Sequence, residues 1–100
     1  MSANPLLLEA IALKKCIHAT YNRVDMKLAP HILYTRNDAL FVDAVALAKA
    51  GNPPREKKLG SFKIDGLSMI ALTDEHFELE PAYDPATERY AGATLFAVEG

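Results

Sequence analysis

The sequence predicts an α+β, mainly β, single domain: one N-terminal helix, then a small five-stranded barrel, then a C-terminal extension that holds a last strand. Three observations carry this. Residues 26 to 47 form two apolar runs split by the turn-forming cluster Thr35-Arg36-Asn37-Asp38, which reads as a long hairpin. Asn4-Pro5 opens a greasy segment with a capping residue and a proline at the first helical position. The rest of the chain is cut into short alternating or apolar runs by Asn, Asp, Gly and Pro, the spacing of strands rather than helices. The expected layout is a helix over about 5–15, a barrel over about 16–77 and an extension over 78–100.

The helix expectation rests on good or fair helix formers from Leu6 to Lys15, with Leu7, Ile11 and Lys14 on one face and Leu6, Ala10 and Leu13 on another. Lys14 and Lys15 would sit in its last turn and complement the helix dipole. So short and apolar a helix must lie across something. Residues 16 to 22 alternate as a strand, with Ile17, Ala19 and Tyr21 on one side and Cys16, His18 and Thr20 on the other. Asn22-Arg23-Val24-Asp25 then turns the chain into the hairpin.

In the first hairpin strand Met26, Leu28, Pro30, Ile32 and Tyr34 fall on one side, and Lys27, Ala29, His31 and Leu33 on the other. Pro30-His31 marks a bend. The second arm, residues 39 to 50, is ambiguous: its alanines, a capping Asp38 and a terminating Gly51 favour a helix. The same residues fit a strand with Leu40, Val42 and Ala44 on one face. Two prolines make Gly51 to Lys58 an exposed loop. Leu59 to Ile64 reads as a strand closed by an Asp65-Gly66 turn, Leu67 to Thr73 as another, and Ala93 to Val98 as a closing strand after an acidic, loop-like stretch.

Half of the residues are hydrophobic and 24% are charged, an ordinary balance for a soluble globular domain with one core. No apolar run approaches the roughly 20 residues that span a bilayer, and Leu6 to Leu13 lacks the preceding basic segment of a secretory signal. No membrane association is expected. The single cysteine, Cys16, forms no internal disulfide and fits a reducing cytoplasm. Lys14, Lys15 and His18 lie near it, but a small buried hydrophobe is its ordinary role. Charge is lopsided: residues 1 to 63 carry ten Lys/Arg against five Asp/Glu, residues 64 to 100 one Arg against eight acids.

At the hairpin the chain resembles a stand-alone WYL domain, a helix followed by an Sm-like (SH3-like) barrel. Tyr21 stands where the family's first strand ends in Tyr, and Pro30-His31 where an R-x-V-x-P strand is followed by a polar residue. Leu40-Phe41-Val42 occupies the naming Trp-Tyr-Leu triplet, and Phe62-Lys63-Ile64-Asp65-Gly66-Leu67 the F-R-L-D-R-I segment. Phe77 is the terminal aromatic, and Tyr83 and Leu95 to Val98 match the loop and last strand of single-domain relatives. The resemblance covers about residues 6 to 98 and favours a strand over 39–49. Met26 and Gly66 stand where the family has arginines, and the triplet has lost its Trp and Tyr.

The resemblance implies a non-enzymatic, ligand-sensing or transcription-regulating module that binds a nucleotide or single-stranded nucleic acid. Tyr21, His31 and Lys63 would converge on one barrel mouth, with Arg23 contacting phosphate and Phe41 offering a stacking surface. Arg36, Lys49, Arg55, Lys57 and Lys58 would form a basic rim. The bland reading keeps Tyr21 and Phe41 in the core, Lys63 in solvent and His31 bonded to a neighbouring carbonyl. No nucleophile elbow, Walker loop, dinucleotide fingerprint or H-E-x-x-H is present, so no enzyme and no cofactor are expected. Asp74 to Glu80 gathers carboxylates and His76 without metal-site spacing, so no metal is expected. Two alternatives stand beside the ligand module: assembly with a second copy or a regulatory protein through a helix or strand edge, and an acidic segment 74–88 folded over the basic cluster as a phosphate mimic.

Overall fold

The computed structural model describes residues 4–99. Helix α1 (Pro5–Leu13) starts where the Asn4 side chain accepts the Leu6 N–H at 2.8 Å. It ends earlier than the expected 15. Lys14 takes a left-handed conformation (φ 57°) whose N–H reaches back to the carbonyls of Ala10 and Ile11, and Lys15 already opens strand β1 (Lys15–Tyr21). The two lysines therefore lie beyond the last turn. Leu7, Ala10 and Ile11 are fully buried, and α1 packs against β1, β2 (Val24–Arg36) and β5 (Leu67–His76).

Three two-residue turns set the sheet. Asn22-Arg23, Asn37-Asp38 and Ala50-Gly51 all have positive φ, the backbone whose twist matches that of the strands it joins. The second joins β2 to β3 (Ala39–Lys49), which settles the 39–50 ambiguity in favour of a strand. β3 pairs with β2 on one side and with β4 (Leu59–Lys63) on the other. Every residue from Val42 to Ala46 is buried. A strand covered on both faces shows a continuous apolar run instead of alternation, which is why its pattern also reads as a helix.

The alternation expected along β2 breaks at the bend. Pro30 faces Ala44 but Ile32 faces Asp43, so His31 is an extra residue, a β-bulge. Beyond it the faces exchange. Met26 and Leu28 pack with Leu33, Val42 and the helix residues in the main core. Ile32 and Tyr34 turn instead to a second, smaller cluster with Tyr90. The five residues Met26, Leu28, Pro30, Ile32 and Tyr34 thus do not share one side. Each fully buried Leu, Ile or Val of the main core stabilises the fold by about 1.5–3 kcal/mol before entropy is charged against it.

A short 3-10 turn (Ile64–Gly66) links β4 to β5, and β5 continues through Asp74 to His76, a stretch that reads as loop from composition. The sheet is antiparallel, in the order β4-β3-β2-β1-β5. Past the bulge, the edge of β2 that β1 has left is taken by β6 (Thr94–Ala97). Backbone bonds on both sides extend that seam, from Thr35 N–H to Ala93 O at 3.0 Å and from Val98 N–H to His31 O at 2.8 Å. The C-terminal segment therefore folds back onto the hairpin. No helix among the described residues is long and apolar enough to cross a membrane.

Candidate functional site

Among the described residues His31 and Asp43 are fully buried acid–base side chains, and both lie under the returning C-terminal segment. A buried carboxylate needs donors on each lone pair. Asp43 has them. One oxygen accepts from the Tyr34 hydroxyl at 2.6 Å and the Ser61 hydroxyl at 2.7 Å. The other accepts from the Tyr90 hydroxyl in a short bond and from the Arg89 guanidinium at 3.2 Å. The four donors come from β2, β4 and the 3-10 turn Glu88–Tyr90, so one carboxylate ties the extension to three strands. Burial, and then the bond to Asp43, raise the Tyr34 and Tyr90 hydroxyls above the usual tyrosine value, so both remain donors. Asp43 likewise holds Arg89 in its charged form.

Arg89 is only half covered, with 52% of its side chain exposed. It reaches from Asp43 into a cleft of about 370 Å³ whose walls include Lys57, Lys58, Asp84, Thr87 and Tyr90. Three cations and one carboxylate thus face one opening. The Arg89 ion pair adds little stability at that exposure, but it fixes the guanidinium and leaves further N–H groups for a second partner. Asp84 is oriented too: one of its side-chain oxygens accepts the Ala86 N–H at 2.9 Å.

His31 serves a different purpose. Its Nδ1 lies 2.8 Å from the Ala29 carbonyl, which can only accept, and its Nε2 takes the Glu80 N–H at 3.0 Å. The ring is therefore neutral with its proton on Nδ1. Burial lowers its pKa, outweighing the Ala29 bond and the carboxylates of Glu80 and Asp43, which raise it. Phe77 and Tyr83 pack on the ring at 4.9 and 5.2 Å between centroids. The Tyr83 hydroxyl is buried without a protein partner.

The other residues singled out in the sequence separate into groups. Tyr21 is half-buried, edge-on to Phe62 at 5.1 Å. Lys63, the next residue along β4, is exposed and stands opposite Phe41, pointing to the other face. Phe41 also stacks on Tyr34 at 6.0 Å and carries the Arg36 guanidinium at 6.0 Å. Arg23 lies exposed in its turn. Phe41, Lys63 and Arg36 are therefore neighbours, whereas His31 lies in the interior. Arg36 and Lys49 stand at opposite ends of the β2–β3 ladder, Arg55 is exposed on the loop, and Lys57 and Lys58 reach the Arg89 cleft. A second opening of about 390 Å³ sets Lys57 against Glu75, Glu78 and Glu80, so the acidic segment does lie beside the basic loop.

Asp43, Arg89, Tyr90 and Ser61 were missed in the sequence. Among the described residues no group of three or more His, Cys, Asp or Glu is placed to hold a metal ion. Cys16 is buried, and burial followed by the nearby Glu75 carboxylate raises its thiol pKa, the opposite of an activated nucleophile. Comparison with protein-family models, with curated proteins and with solved structures finds no match for this chain.

Proposed function

We propose that this chain is a small non-enzymatic ligand-sensing or regulatory module that binds an anionic, nucleotide-like ligand in the Lys57–Lys58–Arg89 cleft. The observation that carries this reading is the convergence of three cations from two distant segments on one opening, one of them anchored by a buried carboxylate. In the same reading the scaffold is a degenerate WYL-like, Sm-like barrel. A leading helix, the path β4-β3-β2-β1-β5 and a 3-10 turn joining the two end strands support it. Gly66, where the resemblance would have an arginine, lies against Tyr21: a Cβ there would stand 2.8 Å from the ring. The family's arginine would displace that ring, so the anion-binding role passes to Lys57, Lys58 and Arg89.

Titration with AMP, followed by amide chemical shifts at low and raised salt, tests the reading. Binding is expected to weaken as salt rises, and Lys57→Glu/Lys58→Glu to lower affinity at least about tenfold, since a charge-assisted bond contributes about 1.5–3 kcal/mol. Lys63→Ala, on the Ser61 face of β4 but outside the residues that line the cleft, leaves affinity unchanged. Loss of binding in Lys63→Ala with none in the double variant would move the site to the Phe41–Lys63 patch.

A second reading, assembly with another copy, draws on β6. Residues 91 to 98 carry no charge, Leu95 and Phe96 are 56% and 37% exposed, and the edge of β6 away from β2 forms no strand pair among the described residues. Light scattering across a concentration series should then show a dimer that Leu95→Lys abolishes. A monomer at every concentration excludes it.

A further inference from the structure

We infer that the cleft takes a compact phosphomonoester carrying hydroxyl donors, of the size of a single nucleotide, and does not track a nucleic-acid strand. This rests on the anion-binding reading above and narrows it. The cleft of about 370 Å³ lies at the small end of the roughly 300–1,000 Å³ range of small-molecule sites. Its charges are unequal across the opening. Lys57, Lys58 and the pinned Arg89 form a cationic part suited to one phosphate, with the guanidinium fork offering paired donors and the exposed Lys58–Glu56 pair, at 3.3 Å, weak enough to open for a phosphate.

Asp84 stands in the same wall with a side-chain oxygen not used by the Ala86 N–H. A carboxylate there repels a second phosphate but accepts hydrogen bonds from hydroxyl groups. The approaches are acidic as well. Glu80 and Glu88 flank the lining residues in sequence, and the neighbouring opening adds Glu75 and Glu78. A polyanion leaving the cleft in those directions meets carboxylates where a strand-binding groove would present lysines. One end of the ligand is therefore read by positive charge and the other by an acceptor, which is the chemistry of a sugar phosphate or mononucleotide.

The test titrates inorganic phosphate, AMP and oligothymidylates of increasing length into the wild type and Asp84→Asn. Asparagine keeps the side-chain oxygen that accepts the Ala86 N–H, and matching amide spectra away from the cleft confirm an intact fold. The wild type is expected to bind AMP about tenfold tighter than inorganic phosphate, a gain worth about 1.4 kcal/mol, with oligothymidylate affinity not rising with length. Asp84→Asn should bind inorganic phosphate as well or better while the AMP advantage shrinks. Affinity that climbs with oligonucleotide length overturns the compact-ligand inference and leaves the anion cleft standing. Equal affinity for phosphate and AMP in the wild type removes the role of Asp84. If no probe perturbs Lys57, Lys58 or Arg89, the anion-binding reading itself falls.

Discussion

Asp43→Ala is expected to destabilise the fold by about 3 kcal/mol or more, a large part of the 5–15 kcal/mol that a small domain has. The cost does not come from the Arg89 ion pair, because that guanidinium is half exposed and water can replace the carboxylate. It comes from Tyr34 and Tyr90. Both rings are buried, at 0% and 3% exposure, and both hydroxyls would lose their charged acceptor. The Tyr90 hydroxyl, left without an acceptor, costs about 1–3 kcal/mol, and the Tyr34 hydroxyl adds a smaller loss because the Ser61 hydroxyl stays 3.1 Å away. Asp43→Asn keeps the shape and can turn its oxygen to Arg89 and Tyr90, but its amide then faces the Tyr34 and Ser61 hydroxyls, which must accept where they now donate, so an intermediate loss is expected. Urea unfolding followed by circular dichroism measures it. The cycle of Asp43→Ala with Tyr90→Phe should be strongly non-additive, because either change alone breaks the same bond. Additive losses would mean that the carboxylate does not act through Tyr90.

Stability should also fall below about pH 6.5, the unperturbed histidine value, through His31. The folded ring resists protonation because it is buried and because its Nε2 lone pair is occupied by the Glu80 N–H. The unfolded chain has no such restraint. Between pH 6.5 and the lowered folded pKa the unfolded state holds one more proton, so acid favours unfolding by up to about 1.4 kcal/mol per pH unit. The contribution is fully present above pH 6.5, lost as pH falls toward the folded pKa, and level below it. The groups facing the ring are Glu80 and Asp43, whose carboxylates moderate the shift, and the uncharged Phe77 and Tyr83. His31→Gln supplies both a donor and an acceptor without titrating, so it should flatten the profile below about pH 6.5. Protection of the Glu80 amide from hydrogen exchange should fall over the same interval in the wild type. A wild-type profile parallel to that of His31→Gln would refute the assignment.

The hairpins were legible because their chemistry is local: Asn37-Asp38 is a turn whatever surrounds it. The bend at Pro30-His31 was legible too, but its consequence was not. Whether a bend keeps or exchanges the faces of a strand depends on the partner's register, and only the pairing of Ile32 with Asp43 shows that the faces exchange. Asp43 escaped notice for a related reason. One acid inside an apolar run looks like the wet face of a strand or helix, and its donors lie 9, 18, 46 and 47 positions away. One signal was available. Once residues 39 to 49 are read as a strand, Asp43 sits between Val42 and Ala44 with strands on both sides, and such a carboxylate demands partners. Arg89 and Tyr90 lay in a segment that composition marks as loop, where no periodicity points a side chain inward.

The order in which the chain leaves the ribosome adds a constraint. The six-strand seam is completed by residues synthesised after the first five strands, since Glu80, Arg89, Tyr90 and β6 all follow β5. Until they emerge, the nascent protein shows Ile32 and Tyr34 to solvent or to a chaperone, and Asp43 has only two of its four donors. The cleft that Arg89 enters is thus the last part of the molecule to come into being, and a translation pause before residue 80 would hold the second core cluster open.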